Sequence, residues 1–326
     1  MFQLDEIAAK RFLEAKGILQ YKITKVAGDA SFRSYYRILN ADKSFILMYA
    51  PPSHEDIKPF IKIDKFLVRN KFSAPKIFVI DHKEGFILLE DFGDDTYGKV
   101  LAKKSEIDLK TTELSLYKSA VDCLVELHKS EIPKDVSFYN EELLLREVML
   151  FTDWYLPLKK ISITEAEKQK FKNLWLEIFS HLDKKNQVLV LRDFHADNLM
   201  ILPKRKFFRK VGLLDFQDAV IGSKAYDLVS LLEDARRDLV EENRNQIFQY
   251  YLEKSQSEKT SFVTDYEILS LQRNIKIIGI FARLSVRDGK HHYLNLLPRV
   301  IDLVKKRISL NSQALAEMCK FLEKFI

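Results

Sequence analysis

Three residues in the middle of the chain have the types and the spacing needed for phosphoryl transfer. Asp193 and Asn198 lie five positions apart, and Asp215 follows at the end of a later apolar run. A carboxylate can accept the proton of an attacking hydroxyl, while an asparagine and a second aspartate can hold magnesium against nucleotide phosphates. This chemistry needs one base and two or three oxygen ligands in fixed positions. We therefore expect Asp193 to be the catalytic base, and Asn198 and Asp215 to be magnesium ligands.

Short apolar runs around these residues predict a strand and a hairpin that hold them in place. Residues 187–191 form a run that ends at the first aspartate, and residues 199–202 and 211–214 form two runs separated by a polar turn. Runs of this length bounded by turn residues are typical of strands. The hairpin would bring Asn198 and Asp215 to the same edge. Each match alone could be an ordinary loop acid, but their order and context favour a site.

The first ninety residues show the pattern of a small sheet with one inserted helix. Segments rich in β-branched and aromatic residues alternate with turn residues, and one segment has helical spacing. From residue 105 onward the apolar spacing predicts mainly helices, and residues 151–158 have the spacing of an amphipathic helix that starts near Glu141. In the first part we expect helices over 3–16 and 59–68, and strands over 22–26, 34–39, 44–48, 77–80 and 86–89.

Residues 191–198 resemble the catalytic loop of the aminoglycoside phosphotransferase and small-molecule kinase family, which has the pattern H-G-D-x-H-x-x-N. Leu191 and Arg192 stand where the family has histidine and glycine. Within that family, the chain is most similar to the bacterial N-acetylmuramate/N-acetylglucosamine anomeric kinases. The segments that carry this similarity run through nearly the whole chain: 30–37, 46–52, 88–94, 151–156, 214–219, 226–232, 279–284 and 287–290.

The resemblance implies an α+β, bilobal protein-kinase-like fold with a small antiparallel-sheet N-lobe and a large, mainly helical C-lobe. We expect residues 1–92 to form the nucleotide-binding lobe and residues 93–326 the catalytic and acceptor-binding lobe. The polar stretch after the fifth strand contains a glycine and suits a hinge between the lobes. Glu90, Asp91 and Phe92 are therefore expected to contact the adenine of ATP through their backbone.

Two residues receive structural roles from the resemblance. His195 matches the second histidine of the motif, and we expect it to hold the catalytic loop through hydrogen bonds rather than to take part in the chemistry. Asp227, in the sequence Tyr-Asp-Leu, resembles the structural aspartate of the family. We expect it to brace the loop without touching the substrate.

The chain lacks the lysine that anchors nucleotide phosphates in protein kinases. Met48 occupies that position at the end of the third strand, as it does in the cell-wall sugar kinases that the chain resembles. The phosphates therefore need another cation, for which Arg33 and Arg37 are candidates by position. The alternative is that both arginines point outward from a strand, which is common for charged side chains. Backbone amides around Ser31 would complete the phosphate-binding turn.

Three residues of the C-terminal lobe are candidates for binding the acceptor. Asp153 stands beside Trp154 and Tyr155, and an acid next to an aromatic ring is common where proteins bind sugars by hydrogen bonding and stacking. Helical spacing favours a core position for Trp154. Asp234 and Arg287 lie near apolar helices that are expected to line the cleft. We expect these three charged residues to contact the acceptor.

Composition is that of an ordinary soluble globular protein, with 47% apolar and 31% charged residues in a chain of 326. The net charge of +6 suits anionic ligands but is too diffuse to indicate nucleic-acid binding. Two cysteines without metal-ligand spacing, an acidic N-terminus and no apolar run near the roughly 18 residues of a membrane span predict a cytoplasmic protein. We expect a monomer with no nucleic-acid or membrane partner.

The expected activity is ATP-dependent phosphorylation of a small-molecule hydroxyl, with Mg²⁺ as the cofactor. The resemblance implies an amino-sugar acceptor, phosphorylated at the anomeric hydroxyl of N-acetylmuramate or N-acetylglucosamine in cell-wall recycling. Two alternatives stay open: a kinase of another hydroxyl compound of the aminoglycoside, choline or homoserine type, and a nucleotide-binding pseudokinase with a regulatory role. The joint presence of Asp193, Asn198 and Asp215 argues against the pseudokinase.

Overall fold

The computed structural model describes residues 4–27, 32–41, 43–185, 187–310 and 312–326, so Ser31 lies outside the described residues. The strands are β1 (Lys22–Ala27), β2 (Ser34–Asn40), β3 (Lys43–Tyr49), β4 (Ile77–Asp81), β5 (Phe86–Glu90), β6 (Gln187–Val190), β7 (Leu199–Ile201), β8 (Val211–Leu213) and β9 (Val220–Ser223). The helices are α1 (Glu6–Glu14), α2 (Lys58–Arg69), α3 (Tyr97–Leu101), α4 (Glu106–His128), α5 (Glu141–Leu150), α6 (Leu156–Leu158), α7 (Glu165–Ser180), α8 (Ala225–Leu232), α9 (Glu241–Ser255), α10 (Lys259–Asp288), α11 (Leu297–Ser309) and α12 (Ala316–Leu322).

The chain divides into two compact units. The first comprises the residues up to Lys103 together with Asp197–Asp218, and the second comprises Lys104–Ala196 and Ala219–Ile326. The first stretch of the first unit ends at Lys103, eleven residues beyond the division expected after residue 92, and the β7–β8 hairpin groups with it. The assignment of nucleotide and acceptor binding to separate lobes stays a prediction.

The first unit is built on an antiparallel sheet in the order β1-β2-β3-β5-β4. All five strands and α2 begin and end within one residue of the expected positions. Asp5 caps α1 by accepting a hydrogen bond from the Ala8 amide (2.9 Å), which satisfies one of the free donors at the helix start. The apolar face of α1 then packs on the sheet, where Phe12 contacts Phe86 with ring centroids 5.5 Å apart.

The β7–β8 hairpin packs against residues that flank α2 and β4. The Ser73 hydroxyl donates to the Arg209 carbonyl (2.7 Å), and the Leu213 amide donates to the Ser73 carbonyl (2.8 Å). Phe60 of α2 stacks on Phe216, just after the hairpin, with ring centroids 5.1 Å apart. These contacts explain why the hairpin with the predicted metal ligands belongs to the first unit.

The second unit is organised around α10, a helix of 30 residues that is buried along most of its length. Helices α5, α8 and α11 pack around it. At Gly279 the approach is close, since a Cβ atom there would lie 2.4 Å from the Leu150 carbonyl carbon. The two-stranded ladder of β6 and β9 completes this unit.

The amphipathic helix expected to start near Glu141 is interrupted. Helix α5 ends at Leu150, a π-helical turn occupies Phe151–Tyr155, and α6 follows. Apolar spacing does not separate a π-turn from an α-helix, because the extra residue shifts the register only locally. Trp154, for which the spacing favoured a core position, is half-buried.

The expected α+β class is confirmed by the five-stranded antiparallel sheet and the mainly helical remainder. In the described part of the chain, no helix combines the length and the apolar character needed to cross a membrane.

Candidate active site

The backbone of the catalytic loop is held by a buried carboxyl group. Asp227 of α8 accepts hydrogen bonds from the amides of Leu191 (2.7 Å) and Arg192 (2.8 Å), and its side chain has no exposed surface. Burial raises the pKa of Asp227 to about 7, although the two N–H donors oppose that rise. These two bonds fix the residues just before Asp193, which is the contact that a bracing role requires.

The side chain of Arg192 extends into a buried polar network. Its guanidinium forms an ion pair with Glu147 of α5, and the same carboxylate lies 3.5 Å from the Lys276 ammonium. Glu147 also accepts hydrogen bonds from the Tyr139 hydroxyl and the Gln272 amide. Burial would raise the pKa of Glu147, but Lys276, Arg192 and these bonds hold it below its ordinary value. The network therefore ties the loop to α5 and α10.

Asp193 is partly exposed and is held in its ionised form. Burial opposes ionisation, but the neighbouring His195, Lys276 and Arg273 lower the pKa of Asp193 below its ordinary value, with a smaller effect from Arg192. Burial also lowers the pKa of His195, so the imidazole is neutral near pH 7. The positive charge that acts on Asp193 at neutral pH therefore comes from Lys276, Arg273 and Arg192. Asp193 is thus a carboxylate that can accept a hydrogen bond from a hydroxyl.

His195 links the loop to the segment after α8. The His195 amide donates to the Asp193 carbonyl (3.1 Å), and the His195 Nε2 atom lies 3.5 Å from the Arg236 Nη1 atom. Because arginine only donates, this contact requires the tautomer with the proton on Nδ1. Asp234 accepts a hydrogen bond from the Arg236 amide (2.9 Å), and its negative charge acts to raise the pKa of His195. The structure therefore brings Asp234 together with the catalytic loop.

The other two acceptor candidates form local ion pairs. Asp153 is exposed on the π-helical turn and binds Lys168 (2.6 Å). Arg287 is exposed and binds its neighbour Asp288 (2.7 Å). Arg287 also lies fourteen residues, or about 21 Å, further along α10 than Arg273, which acts on Asp193. Asp234 is accordingly the candidate that the geometry favours.

The predicted metal ligands lie at one end of the β7–β8 hairpin. The Leu214 amide donates to the Asn198 carbonyl (3.0 Å), so Asn198 and Asp215 leave the hairpin together. Asp215 has a left-handed backbone (φ 57°), and its carboxylate accepts from the Gln217 amide group (3.0 Å). Left-handed residues other than glycine are uncommon and cluster at functional sites.

Asn198 and Asp215 form an all-oxygen donor set that suits Mg²⁺, which usually takes one or two protein carboxylates and completes its shell with water and phosphate oxygens. Among the residues that the structure describes, no cluster of three or more His, Cys, Asp or Glu could hold a metal ion. The pair therefore fits magnesium bound together with a nucleotide better than a dedicated protein cage.

The predicted hinge is an ion-pair cluster. Asp91 binds the Arg37 guanidinium (2.7 Å), which also binds Asp94 (2.9 Å), so Arg37 is engaged beside the hinge. Glu90 pairs with Arg205 (2.5 Å), and the Arg205 guanidinium lies 5.0 Å from the centre of the Phe92 ring. The side chains of these residues are thus occupied, and the Glu90 amide donates to the Lys76 carbonyl (2.9 Å), so contact with adenine would fall to the remaining backbone groups of residues 90–92.

No signal in the sequence pointed to Glu147, Gln272 and Lys276, which have the pattern of ordinary residues of amphipathic helices. Arg236 could have been noticed, since it follows Asp234 within a short charged stretch. Their contacts with the catalytic loop depend on the tertiary fold alone.

Residues 22–263 match the family described as the phosphotransferase enzyme family. A relative from Caulobacter vibrioides named N-acetylmuramate/N-acetylglucosamine kinase is 31% identical, and the comparison covers 98% of this chain and 96% of the relative. Relatives of the same name from Pseudomonas putida and Neisseria meningitidis serogroup B are each 32% identical, covering 88% and 94% of this chain and 83% and 91% of theirs.

Solved structures share the fold at low identity. An ADP-bound aminoglycoside phosphotransferase matches 97% of this chain and 99% of its own, with a TM-score of 0.60 and 19% identity. AMP-bound spectinomycin phosphotransferase matches 95% of this chain and 100% of its own, with a TM-score of 0.68 and 12% identity. Because the family match spans most of the chain and the sequence relatives exceed 30% identity over nearly all of it, the chain belongs to the phosphotransferase enzyme family.

Proposed function

We propose that the chain is an ATP-dependent kinase that phosphorylates the anomeric hydroxyl of N-acetylmuramate and N-acetylglucosamine, and that it acts in the cytoplasm in cell-wall recycling. The observation that carries this proposal is that relatives named for these two sugars match nearly the full length of the chain at 31–32% identity. The retention of Asp193, Asn198 and Asp215 supports an active enzyme over a pseudokinase.

In this proposal, Asp193 orients the sugar hydroxyl and accepts its proton. Its lowered pKa keeps it ionised at neutral pH, and the hydrogen bonds that the Leu191 and Arg192 amides donate to Asp227 hold it in position. Asn198 and Asp215 would hold Mg²⁺, which when bound neutralises charge on the phosphates. The backbone of residues 90–92 would contact adenine.

The acceptor would bind beside the catalytic loop of the second unit. Asp234 lies there with a buried side chain, and its negative charge acts to raise the pKa of His195. Carboxylates commonly accept hydrogen bonds from sugar hydroxyls. Arg236, whose side chain is 38% exposed, is the neighbouring cation. The roles of Asp153 and Arg287 stay predictions with less support.

The test is ATP consumption with magnesium against the two sugars and a panel of aminoglycosides and amino alcohols, with the product identified by phosphorus NMR. An anomeric sugar phosphate is expected. Asp193→Asn keeps the shape of the side chain but removes the base, so kcat is expected to fall about 10²- to 10⁴-fold while ATP affinity is retained. Activity only on another panel member would overturn the acceptor. Magnesium-dependent ATP binding without turnover anywhere would favour the pseudokinase.

A further inference from the structure

The position of the missing phosphate-binding lysine is a buried apolar site. Met48 has no exposed surface and pairs across the sheet with Tyr35 of β2 and Ile87 of β5. Residues directly opposite each other on neighbouring strands project to the same face. A cation that replaces the lysine could therefore come from the neighbouring strand β2.

Arg33 stands just before β2 and is directed to this face. Its side chain is 6% exposed and forms a hydrogen bond with the Tyr35 side chain, the residue opposite Met48. An arginine buried to this degree is uncommon unless its charge is compensated. This excludes the alternative that Arg33 points outward from the strand.

The compensating charge is Glu55, which precedes α2. The Arg33 Nε atom lies 3.4 Å from the Glu55 Oε1 atom, and the Glu55 side chain is 21% exposed. In protein kinases the phosphate-binding lysine pairs with a glutamate of the helix that follows the third strand. Here the pair has the same signs, but the cation comes from the start of β2 and the anion from the segment before α2.

The pair lies within electrostatic reach of the predicted metal ligand. Burial raises the pKa of Tyr35 to about 12; Arg33 opposes this rise, and the charges of Asp215 and Glu55 add to it. Burial also raises the pKa of Glu55, Arg33 opposes, and Asp218 and Asp215 add to the rise. Arg33 therefore stands among carboxylates that a magnesium–nucleotide complex would approach.

We propose that Arg33, positioned by Glu55, binds the phosphates of ATP in place of the missing lysine. The proposal deepens the ATP-dependent function stated above and rests on it for its catalytic consequence. A guanidinium can make two parallel hydrogen bonds to phosphate oxygens, so it suits this role at least as well as an ammonium. Glu55 is a positioning residue that keeps the guanidinium turned toward the phosphates.

The test compares the binding of ATP and of adenosine, because only ATP carries phosphates. Titration calorimetry with magnesium would be performed on the wild type, Arg33→Gln, Arg33→Lys and Glu55→Gln, with Arg69→Gln as the matched control at an exposed arginine of α2. Arg33→Gln is expected to weaken ATP binding about 100-fold and to leave adenosine binding within about twofold. Arg33→Lys is expected to recover part of the loss, and Glu55→Gln to weaken ATP binding about tenfold.

Equal losses for ATP and adenosine in Arg33→Gln would mean a structural role and would overturn the proposal, as would an unchanged affinity for ATP. If Arg33→Gln does not fold, the Glu55→Gln and Arg33→Lys variants decide by the same comparison. Binding needs no acceptor, so this result stands apart from whether the sugars are substrates. With an accepted substrate, Glu55→Gln is expected to raise the KM for ATP more than it lowers kcat.

Discussion

Removing the charge of Glu147 tests whether the buried network positions the catalytic loop. The side chains of Glu147, Arg192 and Lys276 are 10%, 19% and 9% exposed, so these charges are largely shielded from water. Glu147→Gln keeps the shape of the side chain and much of its hydrogen bonding. It leaves one arginine and one lysine without the carboxylate that compensates them.

Breaking a buried ion pair by removing one partner costs about 3–5 kcal/mol, and the hydrogen bonds kept by glutamine place the expected cost near 3 kcal/mol. For a unit of about 200 residues, this lowers the melting temperature by roughly 6–12 °C. Because Arg192 is adjacent to Asp193, we also expect kcat to fall about 10- to 100-fold, with the KM for ATP unchanged.

Thermal melts and steady-state kinetics measure both effects, with Glu142→Gln as the control at an exposed glutamate of the same helix. The double variant Glu147→Gln/Lys276→Met removes one of the two uncompensated charges. It is expected to be more stable than the Glu147→Gln single variant by about 1–3 kcal/mol. A melting temperature within 2 °C of the wild type for Glu147→Gln, or additive losses in the double variant, would refute the reasoning.

Three further predictions concern single side chains. Arg192→Ala is expected to lower kcat and the melting temperature more than Arg192→Gly. Alanine keeps the strain of the left-handed backbone at this position (φ 70°), whereas glycine adopts that conformation freely. Thermal melts and steady-state kinetics of the two variants measure the difference. Arg236→Gln is expected to raise the KM for N-acetylmuramate about tenfold and that for N-acetylglucosamine by twofold or less, since only the first sugar has a carboxylate to pair with the guanidinium. Equal changes for both sugars would exclude that pairing. Burial raises the pKa of Asp64 from its ordinary value of 3.8 to about 7. The folded protein therefore loses stability as the pH rises from about 3.8 to 7, because the unfolded chain releases this proton more readily. Asp64→Asn removes the penalty and is expected to stabilise the protein by about 4 kcal/mol at pH 8. In urea denaturation that gain should fall by about half at pH 5.5, and a pH-independent gain would contradict the assignment.

The strands of the first unit could be predicted closely because their signals are local. Alternating apolar residues and turn residues mark each strand of the sheet and the β7–β8 hairpin, and the observed bounds differ from the expected ones by one residue. The π-helical turn at Phe151–Tyr155 could not be predicted in this way. The turn lies where Gly279 of α10 approaches Leu150 and Phe151, and these contacting residues are far apart in sequence.

The surroundings of the catalytic loop were beyond prediction for the same reason. Gln272 and Glu147 are 125 residues apart and meet only because α10 packs on α5. The sequence placed Asp153 ahead of Asp234 and Arg287 as an acceptor candidate, and the fold favours Asp234 instead. Asp234 joins His195 and Arg236, whereas the other two form ion pairs with residues near them in sequence or on the surface. The sequence shows which of these residues are charged, but it does not show which of them lie near the catalytic loop.

Arg192 shows how this chain forms the catalytic loop without the glycine of the family pattern. This residue, which precedes Asp193, is left-handed (φ 70°), a conformation that glycine adopts freely and that costs another residue about 1–3 kcal/mol. Asp227 holds the Arg192 amide and Glu147 holds its guanidinium, and these contacts offset that cost. In return, the arginine adds to the fixed positive charge that lowers the pKa of Asp193. A loop that glycine would form by backbone preference is therefore formed here by tertiary contacts, and its geometry depends on α5, α8 and α10 being in place.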